Sequence, residues 1–255
     1  NTGCDVAVES AQNAVHTWHS TRRGYYYNPK FAMGRPSDQV ADSLLALKLP
    51  LPVRRALFGA TLKLTVGDLT KFGLQKPDHK FFETHPIVNQ QLVYYVGHGD
   101  ITPVRDIERF DEAGAVFTDG SRADVDLVVF CTGYLVQFPF LEHEWLNWQD
   151  DHPQLFLQIF TPRFDNLAVS GLIQPDSGQW TLAHWQGILI ARVAEMLRTR
   201  PAVAQRFLAR SAVESERRFT AGTHYKDSTR HYYEVAHQDY LEALQDAIHE
   251  LEAPA

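Results

Sequence analysis

The sequence predicts an α/β fold, in which helices cover a mostly parallel β-sheet. The first observation is the near-continuous apolar run Val125–Phe130, which stops at a Thr132-Gly133 turn. Such a run is typical of a strand that is buried on both faces. The second observation is a helix-like pattern that follows Gly3 and leads into a short β-prone stretch. The third is the helical spacing of apolar residues over Ala183–Arg198.

The composition of this 255-residue chain is that of a soluble globular protein. A hydrophobic content of 44% is enough for a core in one large domain or two ordinary ones. The net charge of −7 argues against binding to nucleic acid, and no apolar run approaches the roughly 18 residues of a membrane span. Cys4 and Cys131 form no C-x-x-C pair, so we expect a reducing, cytoplasmic setting without a dithiol redox centre. The composition leaves room for a homo-oligomer.

The start of the chain, Asn1-Thr2-Gly3, leads directly into a helix-like pattern that runs to about Ala14. In a Rossmann unit, a glycine-rich turn joins a strand to a helix whose amino terminus faces a pyrophosphate group. We interpret Gly3 as the last glycine of such a turn, and Asn1, Thr2 and Gly3 as cofactor-binding residues. The stretch Val15–Ser20 is then the second strand of the unit.

The residues after that strand indicate which dinucleotide is bound. An NAD site has an acidic residue here for the ribose hydroxyls, whereas an NADP site has an arginine for the 2′-phosphate. This sequence has Ser20-Thr21-Arg22-Arg23. The planar guanidinium group of arginine can bind two phosphate oxygens, and neighbouring hydroxyls add donors. These four residues are therefore predicted to bind NADPH, and a solvated arginine pair at a strand end is the alternative.

The remaining elements are predicted from apolar spacing and turn residues. Two helices lie between Gln39 and Lys71, with a joint at Pro50 and Pro52. Further strands are predicted at Leu92–Gly99, Ile107–Phe110, Ala115–Phe117 (closed by an Asp119-Gly120 turn), Pro153–Phe160 and Asn166–Ser170. Further helices are predicted at Pro201–Arg218 and Tyr232–Leu251. No metal site is predicted, because His16, His19, His79 and His85 lack the partners and spacing of a zinc site.

With these motifs, the sequence resembles the flavin-containing monooxygenases, class B flavoproteins whose relatives include Baeyer–Villiger enzymes. The resemblance covers almost the whole chain. The segment Gly171–Gln174, ahead of a helix with Trp185-Gln186, is similar to the family segment that packs near the flavin ring. The other matching pieces are Asn1–Asp5 (the end of the NADPH glycine motif), Arg22 (the 2′-phosphate arginine), Phe130–Tyr134 and Phe138–Leu141.

The resemblance implies a Rossmann-like flavoprotein with two dinucleotide-binding domains, here partial. Residues 1–126 correspond to an NADPH-binding domain truncated at its start, and residues 127–200 to the segment that returns to the FAD-binding domain. Residues 201–255 form a carboxyl-terminal helical segment. The amino-terminal FAD glycine motif has no counterpart in this sequence. We therefore expect the carboxyl-terminal part of a monooxygenase, which by itself binds no stoichiometric FAD.

The activity implied by the resemblance is that of an N,N-dimethylaniline monooxygenase-like enzyme, dependent on FAD and NADP. Such an enzyme inserts one oxygen of O₂ into a nitrogen or sulfur of a small molecule, through a flavin C4a-hydroperoxide. The resemblance places Cys131, Thr132 and Gly133 between the two nucleotide sites. It places Gln174 and Thr181 near the flavin. The cofactor supplies the chemistry in this mechanism, so no residue of the chain is assigned a catalytic role.

Three alternatives remain open at this point. The chain could be a non-catalytic, truncated remnant that binds a partner through exposed core surface. It could belong to a Baeyer–Villiger monooxygenase. A flavin disulfide reductase shares the two-nucleotide plan, but it needs a redox-active cysteine pair that this sequence lacks.

Overall fold

The structure is a computed structural model that describes residues 1–32, 34–45, 49–84, 87–112, 114–223 and 229–253. The chain divides into two compact units, Asn1–Tyr134 and Leu135–Ala255. Each unit combines helices with short strands, which is consistent with the α/β class. The described strands form small sheets of two or three strands and not the single, mostly parallel sheet that was expected. The cofactor domains assigned to residues 1–126, 127–200 and 201–255 remain predictions.

The first unit contains four helices and nine short strands among the described residues. Both helices predicted between Gln39 and Lys71 are present, and residues 46–48 between them lie outside the described ranges. The elements are α1 (Thr2–Asn13), β1 (Thr17–Ser20), β2 (Tyr27–Asn28), β3 (Phe31–Ala32), β4 (Arg35–Pro36), α2 (Ser37–Leu45), α3 (Leu51–Thr65), a 3₁₀ turn (Leu69–Phe72), β5 (Ile87–Val88), α4 (Gln91–His98), β6 (Ile101–Val104), β7 (Ile107–Asp111), β8 (Gly114–Phe117) and β9 (Arg122–Asp124).

The centre of the first unit is the parallel pair of strands β1 and β6. Ser20, the last residue of β1, lies opposite Val104, the last residue of β6. Helix α1 packs against β1 and buries Cys4, Ala7 and Val8, which share one helical face. The helix predicted after Gly3 and the strand that follows it are both confirmed.

The strand predicted at Leu92–Gly99 is wrong, because this segment contains helix α4. The side-chain oxygen of Asn89 accepts a hydrogen bond of 2.8 Å from the backbone N–H of Leu92, which is a helix-capping contact. Gly99 ends the helix with a φ of 86°, in the left-handed region that glycine adopts without strain. Leu92 and Val96 are four residues apart and buried, so the apolar pattern has a helical period.

The predicted strands at Ile107–Phe110 and Ala115–Phe117 and the Asp119-Gly120 turn are confirmed, in an antiparallel sheet of β7, β8 and β9. The strand after the turn is Arg122–Asp124, not the apolar run from Val125 that was expected there. In the β8–β9 turn, the carboxylate of Asp119 accepts hydrogen bonds from the backbone N–H and the hydroxyl of Ser121. The guanidinium group of Arg122 donates two bonds, of 2.6 and 2.8 Å, to the carboxylate of Asp111. These contacts fix the strand register.

The apolar run that was expected to be a buried strand is neither a strand nor buried. Strand β9 ends at Asp124, and residues 127–137 form no backbone hydrogen bond with any described residue. The side chains of Leu127 and Phe130 are 79% and 69% exposed. A strand is stable only where a neighbouring strand satisfies its N–H and C=O groups, and no described sheet edge lies along this segment.

The second unit is mainly helical. The helix predicted over Ala183–Arg198 is confirmed within a longer one. The single helix predicted at Pro201–Arg218 is instead two shorter helices that end at Glu214, and the helix predicted at Tyr232–Leu251 is confirmed with a later start, at His237. The elements are a 3₁₀ turn (His143–Leu146), β10 (Trp148–Gln149), β11 (His152–Pro153), β12 (Gln174–Pro175), α5 (Gln179–Thr199), α6 (Pro201–Ala209), α7 (Ser211–Glu214), a 3₁₀ turn (Thr229–Tyr233), β13 (Glu234–Val235) and α8 (His237–Glu252).

The strands predicted at Pro153–Phe160 and Asn166–Ser170 are wrong. Residues 155–161 form a compact turn that is buried against α5, α6 and α8, and isolated bridges link Phe160 to Phe156 and Ala168. Leu157 and Gln158 have positive φ angles, which a strand does not allow. The apolar residues here fill the helical core, so apolarity without a clear period did not identify the backbone conformation.

Across the described ranges, no helix is both long enough and apolar enough to cross a lipid bilayer.

Gly24 fixes the course of the chain after β1. It forms a parallel bridge with Pro77, and a Cβ atom on Gly24 would lie 2.2 Å from the carbonyl oxygen of Lys76. Real Cβ atoms do not approach backbone so closely, so the loop that follows β1 depends on glycine at this position.

We expect Gly24→Ala to lower the free energy of unfolding by about 2 kcal/mol or more, because the clash is with backbone. Gly97→Ala is the control: it lies in α4 with nothing within 4 Å of the added Cβ, and should stabilise the chain by about 0.5–1 kcal/mol. Urea denaturation measures both. Equal effects of the two substitutions would contradict the close approach at Gly24.

We also expect the backbone amides of residues 127–137 to exchange with solvent at close to their unprotected rates. The buried strand β8 provides the reference for protection in the same unit. Hydrogen–deuterium exchange with fragment-level mass spectrometry makes the comparison. Protection of residues 127–131 as strong as that of β8 would restore the original prediction of a strand.

Candidate functional site

The carboxyl ends of β1 and β6 form the first part of the candidate site. The hydroxyl of Ser20 donates a hydrogen bond of 2.8 Å to the carbonyl oxygen of Arg105, and the backbone N–H of Thr21 donates one of 3.3 Å to Val104. The residues that follow the two strands are thereby tied together. Ser20–Arg23 and Arg105 consequently leave the sheet at the same edge, which is where ligands bind in open α/β sheets.

The two predicted hydroxyl donors differ in their availability. The side-chain amide of Gln75 donates hydrogen bonds to the carbonyl oxygen of Thr21, at 2.5 Å, and to its hydroxyl oxygen, at 3.1 Å. The Thr21 hydroxyl thus accepts a bond, and no described residue accepts its own proton, which is therefore available to a ligand. The proton of Ser20 is already used on Arg105, so Thr21 is the better donor to a phosphate.

Both predicted arginines lack an ionic partner. Arg22 is exposed and Arg23 is half-buried, and neither forms an ion pair with a described residue. Arg122, by contrast, is held by two carboxylates. The guanidinium groups of Arg22 and Arg23 are therefore available to an anion, whereas that of Arg122 is not.

The amino end of α1 forms the second part of the site. A Cβ atom on Gly3 would lie 3.3 Å from the Cβ of Cys131 and 3.8 Å from Nε2 of His19. The structure thus brings predicted residues Gly3 and Cys131 together, beside exposed Asn1 and Thr2. The first N–H groups of a helix have no partners within the helix, so this end of α1 attracts an anion.

His19 is a buried polar residue at this position that the sequence did not indicate. Only 8% of it is exposed, and its Nδ1 has no hydrogen-bond partner among the described residues. Burial lowers the pKa of the imidazole from 6.5 to about 4. The ring nitrogen that lies near Gly3 is Nε2, whereas the unpaired Nδ1 is buried, so His19 contributes a neutral imidazole beside the helix end and adds no charge there.

The other predicted residues of the Thr-Gly turn make fewer contacts. Thr132 and Gly133 are exposed and belong to the segment 127–137, which has no regular structure. Their predicted role between two nucleotide sites stays a prediction.

The second unit holds the residues predicted near the flavin. Gln174 lies in β12, which pairs in parallel with β13, so that Gln174 is opposite Glu234. Thr181 is exposed in the first turn of α5. The side-chain amide of Gln179 donates a hydrogen bond of 3.0 Å to the carbonyl oxygen of Gly171. The loop 170–178 therefore has Gln174 within it and Thr181 just after it.

Arg105 and His19 are the candidate residues that sequence reasoning missed. Arg105 follows β6, which was overlooked because the preceding segment was assigned as the strand. Two signals could have corrected this: Asn89 lies just ahead of α4 and accepts a hydrogen bond from the N–H of Leu92 in its first turn, and Gly99 ends the helix. No pattern in the sequence shows that His19 is buried.

The described residues contain no group of three or more His, Cys, Asp or Glu side chains that could hold a metal ion. His85 lies outside the described residues.

These features define an α/β protein with free cations at a strand edge and an open helix amino terminus beside a neutral histidine. A family profile described as flavin-binding monooxygenase-like matches residues 1–253. The chain therefore belongs to this family, as the resemblance predicted.

Individual relatives agree with the family profile. Human flavin-containing monooxygenase 5 is 31% identical over 97% of this chain and 47% of its own length. The guinea pig protein of the same name is 30% identical over 96% of the chain and 46% of its own. Rabbit dimethylaniline monooxygenase [N-oxide-forming] 2 is 30% identical over 69% of the chain and 34% of its own. The chain thus spans about half of the length of the flavin-containing monooxygenase 5 proteins that it matches.

The lowered pKa of His19 makes a prediction about stability. Above pH 6.5 the imidazole is neutral in both folded and unfolded chains; as the pH falls toward 4, only the unfolded chain binds the proton, so stability is lost. We expect His19 to account for a loss of about 2 kcal/mol in the free energy of unfolding between pH 7 and pH 5.

Urea denaturation at the two pH values measures this loss. His19→Gln should remove most of the pH-dependent loss, whereas the control His16→Gln, at an exposed position in the same unit, should keep the wild-type slope. The same slope in all three proteins would show that folding does not lower the pKa of His19.

Proposed function

We propose that this chain forms the NADPH-binding part and a flavin-contacting part of an NADPH- and FAD-dependent monooxygenase. The substrate is a small molecule with a nucleophilic nitrogen or sulfur, and the co-substrate is O₂. Membership of the flavin-binding monooxygenase-like family supports the reaction class. The observation from the chain itself that carries the proposal is the pair of free guanidinium groups, Arg22 and Arg23, at the carboxyl end of β1.

The residues at this edge fit the phosphate groups of NADPH in a Rossmann-like arrangement. Arg22 and Arg23 would bind the 2′-phosphate, with the free proton of Thr21 as a further donor. Asn1, Thr2 and Gly3, at the amino end of α1, would face the pyrophosphate. Because a phosphate carries negative charge and these groups are cations or N–H donors, the binding is electrostatic.

The flavin and the nicotinamide supply the electron and oxygen transfer when they are bound. The residues of this chain would position these groups and keep water away from them. In the second unit, Gln174 would present its amide to the flavin from β12, and Thr181 its hydroxyl from α5. Cys131, Thr132 and Gly133 would lie where the chain passes from one nucleotide to the other.

We further propose that residues 127–137 become a strand in the FAD-binding part of a full-length monooxygenase. The segment is apolar and exposed here, and its backbone hydrogen-bonding groups have no described backbone partner. The flavin-containing monooxygenase 5 relatives are about twice as long as their matched region. A sheet in such a longer protein would satisfy both the side chains and the backbone of this segment.

Binding of 2′,5′-ADP and of 5′-AMP to the chain, measured by calorimetry, tests the cofactor assignment without needing flavin. The two probes differ by the 2′-phosphate alone. Arg22→Ala and Arg23→Ala should each weaken the binding of 2′,5′-ADP by about 10- to 100-fold, because each removes a charge-assisted contact. Binding of 5′-AMP should change by less than about 2-fold, since it lacks that phosphate.

Arg109→Ala is the matched control, because Arg109 is an exposed arginine in the same unit, on β7. It should leave both affinities unchanged. If Arg109→Ala weakened the binding of 2′,5′-ADP as much as Arg22→Ala does, the attraction would be non-specific. If neither probe bound to the wild-type chain, the NADPH assignment would be wrong.

A further inference from the structure

The buried side chain of Gln186 forms hydrogen bonds with the loop that leads to Gln174. Oε1 of Gln186 accepts hydrogen bonds from the backbone N–H of Gly171, at 2.8 Å, and from the hydroxyl of Ser170, at 3.3 Å. Gln186 lies in the middle of α5 and is completely buried. A buried amide on a helix face that is otherwise apolar is costly unless all its groups are paired, so its partners indicate its role.

The other end of the same amide contacts the carboxyl-terminal helix. Nε2 of Gln186 donates a hydrogen bond of 2.6 Å to the phenol oxygen of Tyr240, in α8. The Tyr240 hydroxyl in turn donates one of 2.5 Å to the carbonyl oxygen of Leu157. Tyr240 is completely buried, and burial raises the pKa of its phenol, which keeps the hydroxyl protonated as a donor.

The direction of every hydrogen bond in this series follows from chemistry. The carbonyl of Leu157 can only accept, so Tyr240 must donate to it and can only accept from Gln186. Nε2 of Gln186 must therefore face Tyr240, which leaves Oε1 for the N–H of Gly171. Each member fixes the orientation of the next, and removal of one leaves buried partners unpaired.

The loop is tied to α8 at a second point. Gln174 and Pro175 pair with Glu234 and Val235 of β13, which leads directly into α8. The loop backbone is thus fixed at two points. Gln186 and Tyr240 fix it at Gly171, and the pairing of β12 with β13 fixes it at Gln174.

We propose that Gln186 and Tyr240 are positioning residues, which hold the loop 170–174 in the conformation that presents Gln174 to the flavin. This inference rests on the proposed function for the role of Gln174, and on the hydrogen bonds alone for the positioning. Tyr240 is about 70 residues beyond the loop in sequence, and its hydroxyl is linked by hydrogen bonds to Gly171 through Gln186.

Hydrogen–deuterium exchange of the Gly171 amide, followed by NMR on the chain, tests the positioning. The amide of Leu189, in the interior of α5, serves as the reference. Tyr240→Phe does not touch Gly171, yet it should raise the exchange rate there by about 10-fold relative to Leu189, because Gln186 loses the partner that orients it. Gln186→Met should also raise the exchange rate at Gly171, because it removes the acceptor itself. The double variant Gln186→Met/Tyr240→Phe should exchange at Gly171 little faster than the faster of the two single variants.

Two further variants separate positioning from general stability. Val193→Ala removes buried apolar contact from α5 without touching the polar series, and should leave the ratio of the two exchange rates unchanged. Gln186→Glu, studied at pH 5 where a buried carboxyl is protonated, keeps an acceptor for Gly171 and should retain more protection there than Gln186→Met.

If Tyr240→Phe changes the exchange ratio no more than Val193→Ala does, the inference is overturned. The measurement requires no flavin or NADPH, so this result would leave the proposed function standing. Conversely, the failure of 2′,5′-ADP to bind would refute the NADPH assignment while leaving the exchange result, and the positioning of the loop, intact.

Discussion

The parallel pairing of β1 with β6 determines where the candidate residues of the first unit lie. Because Ser20 is opposite Val104, the residues that follow both strands leave the sheet together, and the bond from Ser20 to Arg105 closes that edge. Helix α1 packs against β1 and places Gly3 beside His19. One strand register thus brings together a helix amino terminus, a neutral histidine and a cationic loop, although these groups are separated in sequence.

The second constraint is the need of every strand for a partner. The run Val125–Phe130 has the composition of a buried strand, yet it is exposed. Its apolar side chains favour burial, but a strand also needs a neighbouring strand to pair with its backbone, and no described strand does so. Helix α4 illustrates the opposite case, since its own backbone satisfies its hydrogen bonds and only one apolar face has to be covered. Helices are therefore formed from local information, whereas strands depend on distant segments.

This difference between helices and strands explains how much of the fold could be predicted from the sequence. The helices after Gly3, around the Pro50 joint and over Ala183–Arg198 were predicted correctly, and so was the Asp119-Gly120 turn, because caps, period and turn chemistry are local. The short apolar segments at Leu92–Gly99 and Pro153–Phe160 were assigned wrongly. The family was identified from the motifs, and the family profile confirmed it. Contacts such as that of His19 with the end of α1 depend on tertiary packing, which no local pattern records.

The polar contacts of the two units show one common principle. In both, a glutamine from another part of its unit binds the backbone of a candidate loop: Gln75 bonds to Thr21, and Gln186 bonds to Gly171. An amide has both donors and an acceptor, so it can satisfy backbone groups at a loop without introducing a charge. Arginine at the same positions would bind the anion itself, and an aliphatic residue would leave the loop backbone unpaired. Neutral amides therefore hold these loops, while the charged groups Arg22 and Arg23 remain free for a ligand.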